Sequence, residues 1–137
     1  MNLLFVCKHN RFRSKVAEAL FLKYCKNKNI HVKSCGISVD ELRSYVADSV
    51  KKILKEDYGV GIVDEVSKRI TEDDIKWADK IIIVADNVLL SGVFPLDKTE
   101  IWKISDASEL DVESIKKSVK EIDKKVKELV GEFSPYS

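Results

Sequence analysis

The chain opens with an unbroken apolar run, Leu3-Leu4-Phe5-Val6, and then changes period. From Ser14 to Asn27 the apolar positions Val16, Ala17, Leu20, Phe21 and Tyr24 recur at helical spacing, with lysines between them. The first pattern predicts a buried strand over Asn2–Val6 and the second a helix over Ser14–Asn27. The alternation then repeats. Ile30–Ser34 reads as a strand, and Ser44–Glu56 carries Val46, Val50, Ile53 and Leu54 on one helical face. Thr71 before Glu72-Asp73-Asp74 is a helix start, with a hydroxyl to cap the first turn and acids to meet its positive end. Lys80–Ala85, containing Ile81-Ile82-Ile83-Val84, is the most apolar strand and belongs at the centre of a sheet. Thr99–Ile104 is a further strand. Val112–Val130 is a long helix with Ile115, Val119, Ile122, Val126 and Val130 turned inward. Such alternation builds a parallel sheet covered on both faces. The expected fold is α/β, a three-layer sandwich with a four-stranded parallel sheet and helices on both faces, in one domain spanning residues 1–137.

Ligands of such sheets bind at the carboxyl ends of the strands. Cys7 follows the first strand, Asp86 the third and Asp106 the fourth, so all three are expected on one rim. The stretch Cys7-Lys8-His9-Asn10-Arg11-Phe12-Arg13-Ser14 joins the first strand to the first helix. It supplies a thiol, then a loop of backbone N–H groups, then a guanidinium and a hydroxyl at a helix N-terminus. The N–H groups and the helix dipole favour an anion. Arg13 can grip two oxygens with its planar fork. Lys8 through Ser14 are therefore the candidate binding residues for a tetrahedral oxyanion such as phosphate. The same field favours a thiolate at Cys7, and an anion-binding loop with its own nucleophile implies phosphoryl transfer through a cysteinyl-phosphate. Asn10 suits a left-handed backbone or side-chain bonds to backbone. Ser14 can cap the helix, donate to Cys7, or do both, and Glu18 can complement the helix N-terminus.

The chemistry needs one carboxyl to protonate the leaving group and then to activate water. Asp106 opens the polar loop Asp106-Ala107-Ser108-Glu109 at the rim and is the candidate; Asp86 and Asp111 are the alternatives. Cys25, read as mid-helix, and Cys35, at a strand end, are expected in the core, as are Trp77 and Trp102; His31 is expected to be structural, and the lysine-rich tail helix to present a solvated face.

Charge changes the picture mainly by exclusion. The net charge of +1 gives no global field toward nucleic acid or membrane. The apolar start is too short for a signal peptide or a membrane span. Three cysteines without paired spacing argue for a reducing compartment, hence a cytoplasmic protein. No Gly-x4-Gly-Lys-Ser/Thr and no zinc-type Cys/His spacing occurs, so no metal and no cofactor is expected.

Cys-x5-Arg-Ser after a strand and before Ala-Glu-Ala-Leu-Phe resembles the low-molecular-weight protein tyrosine phosphatases, whose superfamily also contains arsenate reductases. Ser34-Cys35-Gly36 looks like that family's Ser-Ala-Gly, and Ser67 to Asp86 resembles its Arg-x-Ile-Thr…Ala-Asp segment. Ile101 to Asp106 falls where the family carries its aspartate loop. The resemblance covers nearly the whole chain. It implies Cys7 as nucleophile, Arg13 as phosphoryl-binding arginine and Asp106 as acid, acting on a phosphorylated protein or a small phosphomonoester.

The loop departs from the family pattern at three places. His9 replaces a glycine and is similar to loops of arsenate-reductase-like members; Arg11 replaces a small or aliphatic residue; Phe12 replaces a second cysteine. Ala107 stands where a proline is usual, and Ile37-Ser38-Val39-Asp40 lacks the aromatic that walls a phosphotyrosine ring, a wall that Phe12 could supply. Arg11 adds positive charge that favours an acidic or multiply phosphorylated substrate. The function expected is phosphomonoester hydrolysis of the protein-tyrosine-phosphatase type. The alternatives are arsenate reduction with an external thiol, in which the loop holds arsenate, and a non-catalytic oxyanion or phosphoprotein-binding module. Thioredoxin-coupled reduction needs two more thiols after the third strand, and Asn87–Leu96 has none.

Overall fold

The computed structural model describes residues 1–88 and 92–133. Strands and helices alternate through them: β1 (Asn2–Cys7), α1 (Arg13–Tyr24), β2 (His31–Gly36), α2 (Asp48–Ile53), α3 (Glu72–Trp77), β3 (Lys80–Val84), β4 (Thr99–Trp102) and α4 (Val112–Phe133). The strands form one parallel sheet in the order β2-β1-β3-β4. Because β2 and β3 flank β1 on opposite sides, the connections leaving β1 and β3 diverge. That is the switch point at which doubly wound sheets open a crevice.

Period two along the strands assigns the two faces. Leu3, Phe5, Ile82 and Val84 join the core under α1, α2 and α4, where Phe5 packs edge-on against Phe21 at 6.0 Å. Leu4, Val6, Ile81 and Ile83 join the core on the other face, with Ile75 and Trp77 of α3 packed against them. The three-layer sandwich expected from the alternation is the fold observed. At the carboxyl rim the register sets Cys7 beside Gly36, and Val84 beside Trp102.

Several boundaries differ from expectation. α1 begins at Arg13 and ends at Tyr24, so Cys25 is its C-cap in extended conformation and not a mid-helix residue. α2 starts only at Asp48, because Tyr45 bridges to Val66; Val46 is buried all the same. The helix then widens into a π turn over Leu54–Tyr58 and stops at Gly59, whose φ of +66° terminates it as a left-handed cap. β4 ends at Trp102, since the Ile104 N–H turns back to the Trp102 carbonyl. Part of Asn87–Leu96, residues 89–91, lies outside the described residues. Among the described residues no helix is long and apolar enough to cross a membrane.

Candidate active site

The loop between β1 and α1 is pinned from behind by Asn10. Asn10 is fully buried and adopts φ +53°, a left-handed conformation that asparagine tolerates better than most residues. Its Oδ1 accepts from the Lys68 N–H at 2.9 Å, which fixes the amide orientation. Its Nδ2 then donates to Ser14 Oγ at 2.7 Å and to Ser34 Oγ at 3.1 Å. The Asn10 carbonyl accepts from Ser67 Oγ at 2.9 Å. β2 can approach this loop because residue 36 is glycine: a Cβ there would stand 2.9 Å from both Asn10 N and His9 C.

These bonds place two donors on the Cys7 sulfur. Ser14 Oγ lies 2.9 Å from Cys7 Sγ, and the Asn10 N–H donates to Sγ at 3.3 Å. Ser14 already accepts from Asn10, so its own proton is free to point at sulfur. Hydrogen bonds of this kind stabilise negative charge on the acceptor. The sequence left capping and donation open for Ser14. The N-cap of α1 is Phe12, without any side-chain cap, so Ser14 serves the sulfur and not the helix end.

The helix end is therefore open. The N–H groups of Arg11, Phe12, Arg13 and Ser14 have no protein acceptor among the described residues, and no acidic residue sits in the first turn of α1. α3 shows the contrast: Thr71 and Asp74 form a reciprocal capping box there, with Glu72, Asp73 and Asp74 in the first turn. Orphan N–H groups beside a buried guanidinium fit an oxyanion. Glu18 does not complement this terminus as expected. Its Oε1 accepts from Ser34 Oγ at 2.8 Å, which extends a buried chain from Glu18 through Ser34, Asn10 and Ser14 to Cys7. Burial holds the Glu18 carboxyl above its ordinary range and Lys15 below its own. Lys15 is not a solvated lysine of the α1 face: it is buried and donates to the Val66 carbonyl at 2.9 Å.

Arg13 is almost wholly buried, which a guanidinium tolerates only when its donors are used. Nη1 donates to the Ile104 carbonyl at 2.9 Å and Nη2 to Asn87 Oδ1 at 3.1 Å. Asp86 stands 3.5 Å and Asp106 3.6 Å from its nitrogens. The rim thus brings together Cys7, Arg13 and both candidate acids. Asp106 lines a cleft of about 470 Å³, together with Cys7, His9, Arg11, Phe12 and Arg13, and Asp86 is not among its lining residues. Asp86 accepts instead from Ser105 Oγ at 3.1 Å. Asp111 is elsewhere. It receives Ser114 N–H and Oγ–H at the start of α4, and these bonds hold its carboxyl below the usual range.

Of the remaining loop residues, Asn10 and Ser14 lie behind the cleft, and the Lys8 side chain is exposed outside its lining. His9 Nδ1 donates to the Ser38 carbonyl at 2.6 Å. Arg11 is not a free rim charge: Nη2 contacts Glu109 at 3.3 Å and Nε donates to the Tyr45 carbonyl at 2.9 Å. Asn87 and Ser34, which bond the site residues, and Tyr45, Arg43 and Glu109, which lie at the outer edge of the cleft, were not foreseen. Only Ser34, through its place before Cys35-Gly36, carried a signal. Cys35 is buried, and burial pushes its thiol up. Among the described residues no cluster of three or more His, Cys, Asp or Glu is placed to hold a metal.

Comparison with known proteins agrees with this geometry. A low molecular weight protein tyrosine phosphatase from T. tengcongensis is 28% identical, with a TM-score of 0.84, over 96% of this chain and 99% of that one. An arsenate reductase from Archaeoglobus fulgidus is 31% identical, with a TM-score of 0.73, over 94% of this chain and 98% of that one. A low molecular weight phosphotyrosine phosphatase from Vibrio cholerae shares the fold at a TM-score of 0.86 and 21% identity, over 98% and 97% of the two chains. No curated protein sequence matches. The family model described as "Low molecular weight phosphotyrosine protein phosphatase" matches residues 2–134, and the chain belongs to that family.

Proposed function

We propose that the protein is a phosphomonoester hydrolase of the protein-tyrosine-phosphatase type, working through a cysteinyl-phosphate. The observation that carries this reading is the Cys7 sulfur, held by Ser14 and Asn10 beside the uncapped start of α1 and the buried Arg13. The Cys7 thiolate attacks phosphorus, the bond from phosphorus to the leaving oxygen breaks, and Asp106 gives that oxygen its proton. The Asp106 carboxylate then takes a proton from water as the water oxygen attacks phosphorus. The S–P bond breaks, Cys7 leaves as thiolate and phosphate departs. Arg13 and the loop N–H groups stabilise the equatorial oxygens in both steps. The substrate is a phosphorylated protein or a small phosphomonoester. Three free cysteines suit a cytoplasmic, reducing setting.

A second reading has its own support. His9 and the 31% identity to the Archaeoglobus fulgidus arsenate reductase favour arsenate reduction, with Cys7 forming the first arseno adduct and an external thiol completing the electron transfer. A purely binding module would need neither Cys7 nor Asp106. The deciding experiment is a paired assay of the purified protein: hydrolysis of an aryl phosphate beside arsenate reduction with small thiols. Hydrolysis is expected. Arsenate reduction without hydrolysis would replace this reading with the reductase.

A further inference from the structure

We propose that Arg11 and Arg43 form a second anion subsite at the mouth of the cleft, filled here by the chain's own Glu109. The preferred substrate then carries a second anionic group, carboxylate or phosphate, beside the phosphoryl group. This inference rests on the phosphatase reading of the cleft.

Arg13 faces two carboxylates, Asp86 and Asp106, within 3.6 Å. The uncompensated positive charge of the cleft therefore lies not at Arg13 but further out. There a single carboxylate serves two guanidiniums: Glu109 Oε1 is 2.6 Å from Arg43 Nη2, and Oε2 is 3.3 Å from Arg11 Nη2. Neither arginine has another acidic partner among the described residues. Arg11, Arg43 and Glu109 all line the same cleft as Cys7.

Arg11 keeps its place without Glu109. The Arg11 Nε–H is held by the Tyr45 carbonyl, and its guanidinium lies 5.2 Å from the Tyr45 ring centroid. Glu109 is held far less firmly. It sits on an irregular loop beside the exposed Leu110, and its side chain bonds to nothing among the described residues except these two arginines. Half-exposed pairs of this kind are weak and salt-sensitive. A substrate anion can take the place of the Glu109 carboxylate with little loss, and two planar forks suit a carboxylate or a phosphate equally. Glu109 thus competes with acidic substrates and leaves aryl phosphates without a second anionic group unaffected.

Titration calorimetry with non-hydrolysable ligands tests this without turnover, so its outcome is separate from the aryl phosphate assay. The ligands are benzylphosphonate, a carboxylated benzylphosphonate and a benzylbisphosphonate, each titrated into the full chain. The wild type is expected to bind at least one of the two ligands with a second anionic group about tenfold tighter than benzylphosphonate. The carboxylated arm reports acidic neighbours and the bisphosphonate arm multiple phosphorylation. Arg43→Gln is expected to lose that preference while still binding benzylphosphonate, which also reports a folded site, and Glu109→Gln to strengthen it several-fold. Equal affinity for all three ligands in the wild type, or an undiminished preference in Arg43→Gln, overturns the subsite. An unchanged preference in Glu109→Gln overturns its role as competitor.

Discussion

Ser14 Oγ stands 2.9 Å from Cys7 Sγ while accepting from Asn10 Nδ2 at 2.7 Å, so one hydroxyl joins the buried amide behind the loop to the sulfur in front of it. Ser14→Ala removes a donor from sulfur and leaves the Asn10 amide short of an acceptor. A hydrogen bond to a charged group contributes about 1.5–3 kcal/mol, so kcat on an aryl phosphate is expected to fall roughly ten- to a hundredfold. Cys7→Ser goes further. It is expected to abolish turnover and still bind phosphate, because Arg13 and the loop N–H groups remain. Wild-type rates in Cys7→Ser would sink the cysteinyl-phosphate mechanism.

The two acids flanking Arg13 are separated by the leaving group. A good leaving group departs without a proton, and a poor one needs it. Asp106→Asn is expected to slow poor-leaving-group substrates about a hundredfold more than nitrophenyl phosphate, and Asp86→Asn to slow both alike. The check is kcat across a series of aryl and alkyl phosphates. The reverse pattern would move the acid to the end of β3.

How much of this was legible in the chain varies by residue. The apolar run before Cys7 and the spacing to Arg13 located the loop, and the strand–helix alternation located the rim. Capping stayed open for Ser14 because local patterning sees only a hydroxyl before a helical repeat. The helix in fact starts one residue earlier, and its open N–H groups are visible only in three dimensions. Lys15 read as one of the lysines between the apolar positions of α1, and Glu18 as a complement to the helix N-terminus. Their partners, Val66 and Ser34, come from distant stretches of chain, which periodicity cannot reveal. The same holds for Glu109, whose bond to Arg11 spans 98 residues.

The buried Glu18 sets a pH dependence of stability. Burial raises its folded pKa above the ordinary value of 4.5. Below 4.5 both folded and unfolded chains are protonated there and nothing is lost. As pH rises from 4.5 through the folded value, the folded state holds more protons than the unfolded one, so stability declines across that window. Glu18→Gln removes this loss and still offers Ser34 an acceptor. Its thermal midpoint is expected to match wild type at pH 4 and to exceed it at pH 7. A variant less stable than wild type at pH 7 would show that the ionised carboxylate is needed there, with Lys15 as its nearest counter-charge.

Cys35 pairs with Val6 in the sheet, one position from the Gly36 that pairs with Cys7, so it lies nearer Cys7 than its place in the sequence suggests. Nearness alone does not make it a relay. Cys35 is 2% exposed, its thiol is pushed up by burial, and it lines a different cavity from the one Cys7 lines. Exchange needs a thiolate and an open approach for the attacking sulfur. Cys25, at the far end of α1, is about 18 Å along the helix axis from the loop, well beyond the span a disulfide can bridge. The Cys25→Ser, Cys35→Ser double variant is therefore expected to keep full activity on an aryl phosphate, and the wild type to show no thioredoxin-dependent arsenate reduction. Robust thioredoxin-coupled turnover that vanishes in the double variant would instead make Cys35 a working partner of Cys7 and move the protein to the reductase branch.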